Sequence, residues 1–183
     1  MKLIHELFYM RLVEKDDAVK ILAYELKNRS AFQATNPTRS ERFYTLEAQV
    51  ESVQRTLDAQ KAHYMARFLI FTPNHQLIGL CGLNEILLSP NLMSCFIGYS
   101  IDPSFQGKGL MTQAVKMVCE YGFRVLHLHR IEAGVMPSNI ASQRVLEKNG
   151  FIREGLALKN VHINGQWEDH YTYGCLNPFE KEA

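Results

Sequence analysis

A glycine-containing turn near the middle of the chain carries the residues best suited to bind an anion. The strand-like run Ile97–Ile101 leads through Gln106-Gly107-Lys108-Gly109 into a helical run that begins with Leu110-Met111-Thr112. The first N–H groups of a helix have no acceptor within the helix, and the helix dipole adds partial positive charge to them. Glycine at 107 and 109 removes the side chains that would keep a ligand away. The turn therefore predicts an anion site suited to a pyrophosphate.

Two common phosphate-binding loops do not fit this spacing. The P-loop requires G-x-x-x-x-G-K-[ST], whereas Asp102 stands at the place of its first glycine and Gly109 follows Lys108. The Rossmann fingerprint requires a third glycine at the position where this chain has Thr112. The turn is therefore neither of these nucleotide-binding loops.

A second segment, downstream of the turn, completes a pair of motifs. It contains the strand-like run Arg130–Val135, followed by Asn139-Ile140-Ala141-Ser142 and by Val145–Phe151. Gln106–Met111 resembles the Q/R-x-x-G-x-G/A acetyl-CoA signature of the GNAT superfamily of N-acetyltransferases, with Met111 in place of the last Gly/Ala. Asn139–Phe151 resembles the N-x-x-S-x-x-V-L-E-K-x-G-F element of that superfamily. The resemblance is clear from about residue 97 to residue 175 and looser from residue 7 to residue 28.

This resemblance implies an α/β (α+β) fold of the GNAT type, forming a single domain over residues 1–183. It implies a mixed, largely antiparallel central sheet of about seven strands flanked by four helices, with splayed central strands. Acetyl-CoA is then the cosubstrate and lies in the gap between those strands. Carried over residue by residue, the cofactor-binding positions are Ile101, Gln106, Gly107, Lys108, Gly109, Leu110, Met111, Thr112, Asn139 and Ser142.

The resemblance also gives Ser142 a catalytic role. Many GNAT enzymes carry N-x-x-A-x-x-x-Y in this helix, and the tyrosine protonates the departing coenzyme A. Ser142 and Leu146 stand at these Ala and Tyr positions, a combination similar to the Rim-type branch, the ribosomal-protein N-terminal acetyltransferases. A serine near the coenzyme A sulfur takes the tyrosine's role in that branch, so we expect Ser142 to assist thiolate departure. Asn139 is expected to contact the pantetheine, to cap the helix, or to do both.

The sequence supplies no obvious general base. Family members often carry Glu immediately before the I-G-Y of the first splayed strand, whereas Phe96 stands there in this chain. Glu85, near the end of the preceding strand, is the best substitute. A peptide α-amine with a pKa near 8 is partly neutral at pH 7 and needs little help, unlike a lysine ε-amine near 10.4. The missing base therefore favours an α-amine or a similarly acidic amine.

The sequence leaves three functions open for this protein. The first is acetylation of a protein N-terminal α-amine by direct attack in a ternary complex. The second is acetylation of a small amine such as a polyamine, an amino acid or an aminoglycoside. The third is a coenzyme A-binding sensor that has lost catalysis. Candidate acceptor-side residues lie near the second helix and on the last hairpin: Arg39, Arg42, Glu47, Trp167, Asp169, His170 and Tyr171.

The elements that must position these residues follow from hydrophobic periodicity. The order is one strand, two helices, three strands, a helix, a strand, a helix and two strands, the last two joined at Asn164-Gly165, a dipeptide typical of tight hairpins. Residues 28–40 are polar and predict a loop. The first helix is expected to bury Val19, Leu22, Ala23 and Leu26. The second, from about Ser40 to Ala62, is expected to be amphipathic and to pack its apolar side against the sheet, with the stripe Phe43, Leu46, Val50, Val53 and Leu57.

Composition excludes several other classes of protein. The net charge of +1 over 183 residues shows no electrostatic footprint for nucleic acid or for a membrane surface. The chain contains four widely spaced cysteines, which we expect to be reduced and buried, and it has no metal-ligand spacing. No apolar run approaches the roughly 18 residues of a membrane helix, and Glu6 and Arg11 interrupt the basic-then-apolar pattern expected of a signal peptide. We expect a cytoplasmic location, and the sequence leaves open whether the protein forms a homodimer.

Overall fold

A single sheet organises the computed structural model, which describes residues 1–180. The sheet has eight strands in the order β1-β2-β3-β4-β5-β6-β8-β7. All neighbouring strands are antiparallel except β5 and β6, which are parallel. The strands are β1 (Lys2–His5), β2 (Phe8–Leu12), β3 (Ala66–Phe71), β4 (Leu77–Ser89), β5 (Leu92–Ile101), β6 (Arg130–Val135), β7 (Ile152–Ile163) and β8 (Gln166–Leu176).

Helices lie on both faces of this sheet. The hydrophobic core on one face includes residues of α4 and α5, and a smaller cluster on the other face includes residues of α1 and α3. The α-helices are α1 (Ala18–Lys27), α2 (Arg29–Gln33), α3 (Leu46–Lys61), α4 (Leu110–Arg124) and α5 (Ile140–Lys148), and short 3₁₀ turns cover Lys15–Asp17, Glu41–Tyr44 and Pro103–Phe105. No helix within residues 1–180 combines the length and the hydropathy that crossing a bilayer requires.

The predicted mixed, largely antiparallel sheet is confirmed, but two elements were missed. The sheet has eight strands rather than about seven, because residues 2–5 pair with β2 as the edge strand β1. There are five α-helices rather than four, because α2 forms inside the expected 28–40 loop. This polar segment folds around Phe32, which is buried against Tyr24 with ring centroids 5.3 Å apart. One buried aromatic ring thus stabilises a helix that periodicity does not detect.

The predicted apolar face of α1 was wrong, and that of α3 was wrong in part, since Val53 and Leu57 pack in the core as predicted. Val19 is 63% exposed and Leu26 48% exposed, whereas α1 buries Ile21, Tyr24 and the carboxylate of Glu25. In α3, Leu46 and Val50 are 47% and 52% exposed, and the buried residues are Gln49, Val53 and Thr56. Both helices are therefore rotated so that polar residues face inward, where they have hydrogen-bonding partners.

The four cysteines are buried and free, as the sequence predicts. Burial raises the pKa of the Cys95 thiol to about 12, and it also raises the pKa values of the Cys81 and Cys119 thiols well above that of an ordinary thiol. Because the thiolate is the reactive form of cysteine, these side chains are chemically inert at neutral pH. The cysteines are packing residues, and none of them is placed to act as a nucleophile.

Candidate active site

The central parallel strands part in the middle of the sheet. β5 and β6 pair only at Ser94 with Arg130, Cys95 with Ile131 and Phe96 with Glu132. Both strands continue beyond these pairs, β5 to residue 101 and β6 to residue 135. The predicted splayed strands are therefore confirmed. Beyond Phe96, the edge of β5 that faces β6 has no strand partner, so its backbone polar groups are available to a ligand in the cleft.

The turn after β5 is held by one buried carboxylate. Asp102 is 1% exposed, and its Oδ1 accepts a hydrogen bond of 2.9 Å from the Ser104 backbone N–H. Its Oδ2 accepts one of 2.5 Å from Lys27 Nζ of α1. Burial alone would raise the pKa of Asp102, but the hydrogen bonds from Lys27 and Ser104 hold it below the ordinary value. The carboxylate therefore stays ionised and fixes the start of the glycine turn.

The glycine turn forms a cradle of unpaired N–H groups at the start of α4. Gly107 and Gly109 have φ values of +72° and +74°, and Gly109 is the N-cap of the helix. The first N–H in the helix ladder is that of Gln113, which bonds to the Gly109 carbonyl at 3.1 Å. The N–H groups of residues 110–112 therefore remain for a ligand. A Cβ at either glycine would meet nothing within 4 Å, so the space above the backbone is open.

The other side chains of the turn divide into buried and exposed ones. Leu110 and Met111 are each 6% exposed, so they pack in the core and offer a ligand only their backbone. Gln106 and Lys108 are exposed, and Lys108 Nζ donates a 3.0 Å hydrogen bond to the Ser104 carbonyl beside the turn. An open backbone, a helix N-terminus and an adjacent ammonium fit a pyrophosphate. Ile101, at the end of β5, is half-buried.

Ser142 lies in the first turn of α5, on the β6 side of the cleft. Asn139 is the N-cap of this helix, and its Oδ1 accepts a 3.1 Å hydrogen bond from the Ser142 N–H. The capping role expected of Asn139 is thus present, and its contact with a cofactor stays a prediction. Asn149 Nδ2, at the other end of α5, donates to the Thr112 carbonyl at 3.2 Å. This bond ties α5 to the start of α4.

Tyr99 is the tyrosine of the I-G-Y run on β5, and no functional role was predicted for it. The structure brings its phenol oxygen to 2.8 Å from Ser142 Oγ. Alternation along β5 carried a usable signal, because Ile97, Tyr99 and Ile101 share one face of the strand, and all three pack against the same core. The alternation pattern did not predict that Tyr99 contacts Ser142.

Glu85 stands apart from the Tyr99–Ser142 pair. It lies at an irregularity in the β4–β5 register, between Asn84 and Leu87, with φ of +52°. Its side chain is exposed, and none of the ion pairs found in residues 1–180 involves it. Asn84, the residue before it, pairs with Phe96, which is 46% exposed at the point where β5 and β6 part. Glu85 is therefore near the cleft along the sheet, and its role as a base stays a prediction.

Glu25, Arg39 and Arg67 form a partly buried charge cluster under α1 that was not predicted from the sequence. Glu25, 6% exposed, accepts a hydrogen bond from Arg39. Burial raises the pKa of Glu25, and the charges of Arg39 and Arg67 oppose that rise. Arg67 pairs across the sheet with Gly82, which in turn pairs with Gly98 of β5. Arg67 of this cluster is therefore in register with Gly98, which lies on β5 beyond its last pair with β6.

Arg42 and Trp167, two further candidate acceptor-side residues, occupy separate surfaces, whereas His170 is buried and Tyr171 packs against the main core. Arg42 forms an exposed ion pair of 2.8 Å with Glu51 of α3. Trp167, on the β7–β8 hairpin, is 61% exposed, and its ring packs edge-on against His162. The hairpin turns at Asn164-Gly165 with φ of +49° and +81°, as the sequence predicts. Residues 164 and 165 line an open groove with Ser30, Gln33, Ala34 and Thr38 of the α2 region.

Across residues 1–180 the structure brings together no cluster of metal-binding side chains.

A mixed sheet split between two parallel central strands, with a glycine turn opening the helix beside the split, defines a GNAT-type acyltransferase. The sequence matches the acetyltransferase (GNAT) domain over residues 8–152, and the chain belongs to this family. It is an N-acetyltransferase, and its resemblance to the Rim-type branch is confirmed.

Close relatives cover nearly the whole chain. A probable N-acetyltransferase of Bacillus subtilis, YjcK, is 43% identical over 95% of this chain and 96% of its own length. The ribosomal protein uS5-alanine N-acetyltransferase of Escherichia coli is 31% identical over 92% of this chain and 87% of its own. The crystal structure of the ribosomal-protein-S5-alanine acetyltransferase of Vibrio fischeri superposes with a TM-score of 0.94 at 33% identity, covering 100% of both chains.

Proposed function

We propose that this enzyme transfers the acetyl group of acetyl-CoA to the N-terminal α-amine of a protein, by direct attack in a ternary complex. The observation that carries the proposal is the cleft between β5 and β6, which has the glycine turn with its free helix N–H groups at one end and Ser142 at its side. The GNAT family uses acetyl-CoA. The similarity to two ribosomal-protein alanine acetyltransferases supports a protein acceptor.

The residues of the turn fit the cosubstrate. The N–H groups of residues 110–112 and the Lys108 ammonium are suited to the pyrophosphate, and the glycines allow it to approach the backbone. The pantetheine arm then runs into the cleft past Asn139. Leu110 and Met111 contribute through their backbone alone, because their side chains are buried.

The unpaired edge of β5 is suited to activating the thioester. A backbone N–H beyond Phe96 donates to the carbonyl oxygen and stabilises the negative charge that develops there, an effect of roughly 3 kcal/mol per donor. The amine nitrogen attacks the carbonyl carbon, the C–N bond forms and the C–S bond breaks. The nitrogen loses its proton to solvent, and coenzyme A leaves as a thiolate. The Ser142 hydroxyl donates a hydrogen bond to that sulfur as it departs, or transfers its proton to the sulfur and regains one from solvent.

The surroundings of the cleft favour an easily deprotonated acceptor. Glu85 is exposed and lacks an ion-pair partner within residues 1–180, so nothing organises it as a strong base. Glu25, a buried carboxylate on the α1 face, is bound by Arg39. Arg39 and Arg67 together outweigh the charge of Glu25, and this net positive charge disfavours a polyamine, which is itself a polycation. A peptide α-amine meets both conditions.

Short peptides with a free N-terminus are therefore expected to be acetylated faster than the same peptides blocked there but carrying a lysine. A lysine side chain is about 2–3 pK units harder to deprotonate, which corresponds to about 3–4 kcal/mol near neutrality. The rate should rise with pH towards the pKa of the α-amine and then level off. Initial rates with a matched peptide pair between pH 6 and pH 9 measure this. A preference for a polyamine or an aminoglycoside over every peptide would contradict the proposal.

Glu85→Gln provides the internal control for this experiment. If no side chain acts as the base, the variant keeps the wild-type rate and pH profile. A loss of activity that is greatest at low pH, where the amine is mostly protonated, would make Glu85 the base. That result would remove the argument that links the acceptor to a missing base.

A further inference from the structure

Two hydroxyl groups meet across the open end of the cleft. Tyr99 belongs to β5 beyond its last pair with β6, and Ser142 belongs to the helix that follows β6. The Tyr99 phenol oxygen is 2.8 Å from Ser142 Oγ and 3.2 Å from the Ser142 carbonyl oxygen. The two sides of the cleft are therefore joined by this contact where the strands no longer pair.

The strand keeps the Tyr99 ring in a fixed position. Tyr99 pairs with Cys81 of β4, and its half-buried ring packs against the main core. Burial raises the pKa of Tyr99 far above that of an ordinary phenol, although the hydrogen bond with Ser142 acts in the opposite direction. The phenol is therefore protonated at neutral pH and has one proton to donate.

A serine hydroxyl rotates freely unless a partner fixes it. The cap from Asn139 holds only the Ser142 backbone, whereas the Tyr99 hydroxyl reaches the side-chain oxygen. When Tyr99 donates to Ser142 Oγ, it occupies one lone pair and leaves the serine proton free to point elsewhere. We infer that Tyr99 is a positioning residue, whose hydroxyl directs the Ser142 proton towards the thioester sulfur. This inference rests on the proposed role of Ser142 in thiolate departure.

Tyr99→Phe tests the inference, because it keeps the ring and removes only the hydroxyl. We expect kcat to fall about tenfold, the size of one well-placed hydrogen bond, with the KM for acetyl-CoA unchanged. Tyr173→Phe is the matched control, since Tyr173 is also buried and also bonds to α5, through Glu147 at 3.2 Å. This control should keep the wild-type kcat. An equal loss of kcat in both variants would mean that Tyr99 only stabilises the packing of α5.

A double-mutant cycle separates positioning from packing. In a Ser142→Ala background, Tyr99→Phe should have no further effect on kcat, because the group it orients is gone. The cycle is run with whichever amine the enzyme acetylates fastest, so a failure of the peptide-acceptor proposal leaves this test in place. Independent, multiplicative losses would overturn the inference.

A binding measurement needs no acceptor at all. Coenzyme A and desulfo-coenzyme A differ only at the sulfur, so their affinity ratio reports the hydrogen bond that Ser142 makes there. We expect the preference of the wild-type enzyme for coenzyme A to fall in Tyr99→Phe, which leaves the Ser142 hydroxyl unoriented, and to fall further in Ser142→Ala, which removes that hydroxyl. A preference that Tyr99→Phe leaves intact, or that the wild type lacks, would refute the inference even if no amine were acetylated.

Discussion

Gly109→Asp is expected to lower the affinity for acetyl-CoA by about 10³-fold, with a matching loss of kcat/KM. A carboxylate about 4 Å from a phosphate at the protein surface adds roughly 4 kcal/mol of repulsion. The variant places this charge at the N-cap of α4, above the N–H groups of residues 110–112. Calorimetric titration with acetyl-CoA measures the loss, and the melting temperature gives a second reading, since acetyl-CoA should no longer raise it.

Gly109→Asn and Gly150→Asp are the matched controls. Asn has the shape of Asp without its charge, and both tolerate the left-handed backbone better than other residues, so Asn at 109 should lose about tenfold at most. Gly150 has a φ of +79° and, like Gly109, open space around its missing Cβ, so Gly150→Asp imposes similar strain at the C-terminal end of α5 and not at the N-cap of α4, and it should bind normally. Equal losses for Asp and Asn at position 109 would mean that bulk, not charge, is responsible. Normal binding by Gly109→Asp would place the pyrophosphate elsewhere.

Ser142→Ala is expected to lower kcat by on the order of 10² while leaving the affinity for acetyl-CoA nearly unchanged. The hydroxyl acts when the C–S bond breaks, so its loss affects the transition state and not the ground state. The variant should fold normally, because Tyr99 can still donate to the carbonyl oxygen of residue 142, which is 3.2 Å away. Steady-state kinetics measures the change in kcat, and a separate binding measurement shows whether the affinity for acetyl-CoA has changed.

Ser138→Ala is the control for this variant. Ser138 lies in the same segment before α5 and is exposed, so removing its hydroxyl should leave kcat unchanged. Ser142→Thr keeps a hydroxyl at the site and should retain more activity than Ser142→Ala. A loss confined to KM would instead make Ser142 a residue that only binds the cosubstrate.

The candidate site was predictable from the sequence where its parts are local. Gly107 and Gly109 carry their own requirement for positive φ, and the free N–H groups follow from any helix start. Asn139 and Ser142 lie three residues apart at a helix start, so the cap is also a local feature. The Tyr99–Ser142 contact joins residues 43 positions apart. No local rule brings them together, and only the arrangement of β5 and α5 does so.

The order of elements apart from β1 and α2 was determined by the sequence alone, as were the hairpin at Asn164-Gly165 and the two motifs, because periodicity and turn chemistry act over a few neighbouring residues. The rotation of α1 was decided by tertiary structure. Its apolar stripe predicted an inward Val19, yet the helix buries Glu25, because Arg39 lies within reach of that carboxylate in the fold. The separation of β5 from β6 is likewise a property of the sheet. Strand pairing depends on where two distant segments meet, and the sequence of either strand does not record where their pairing stops.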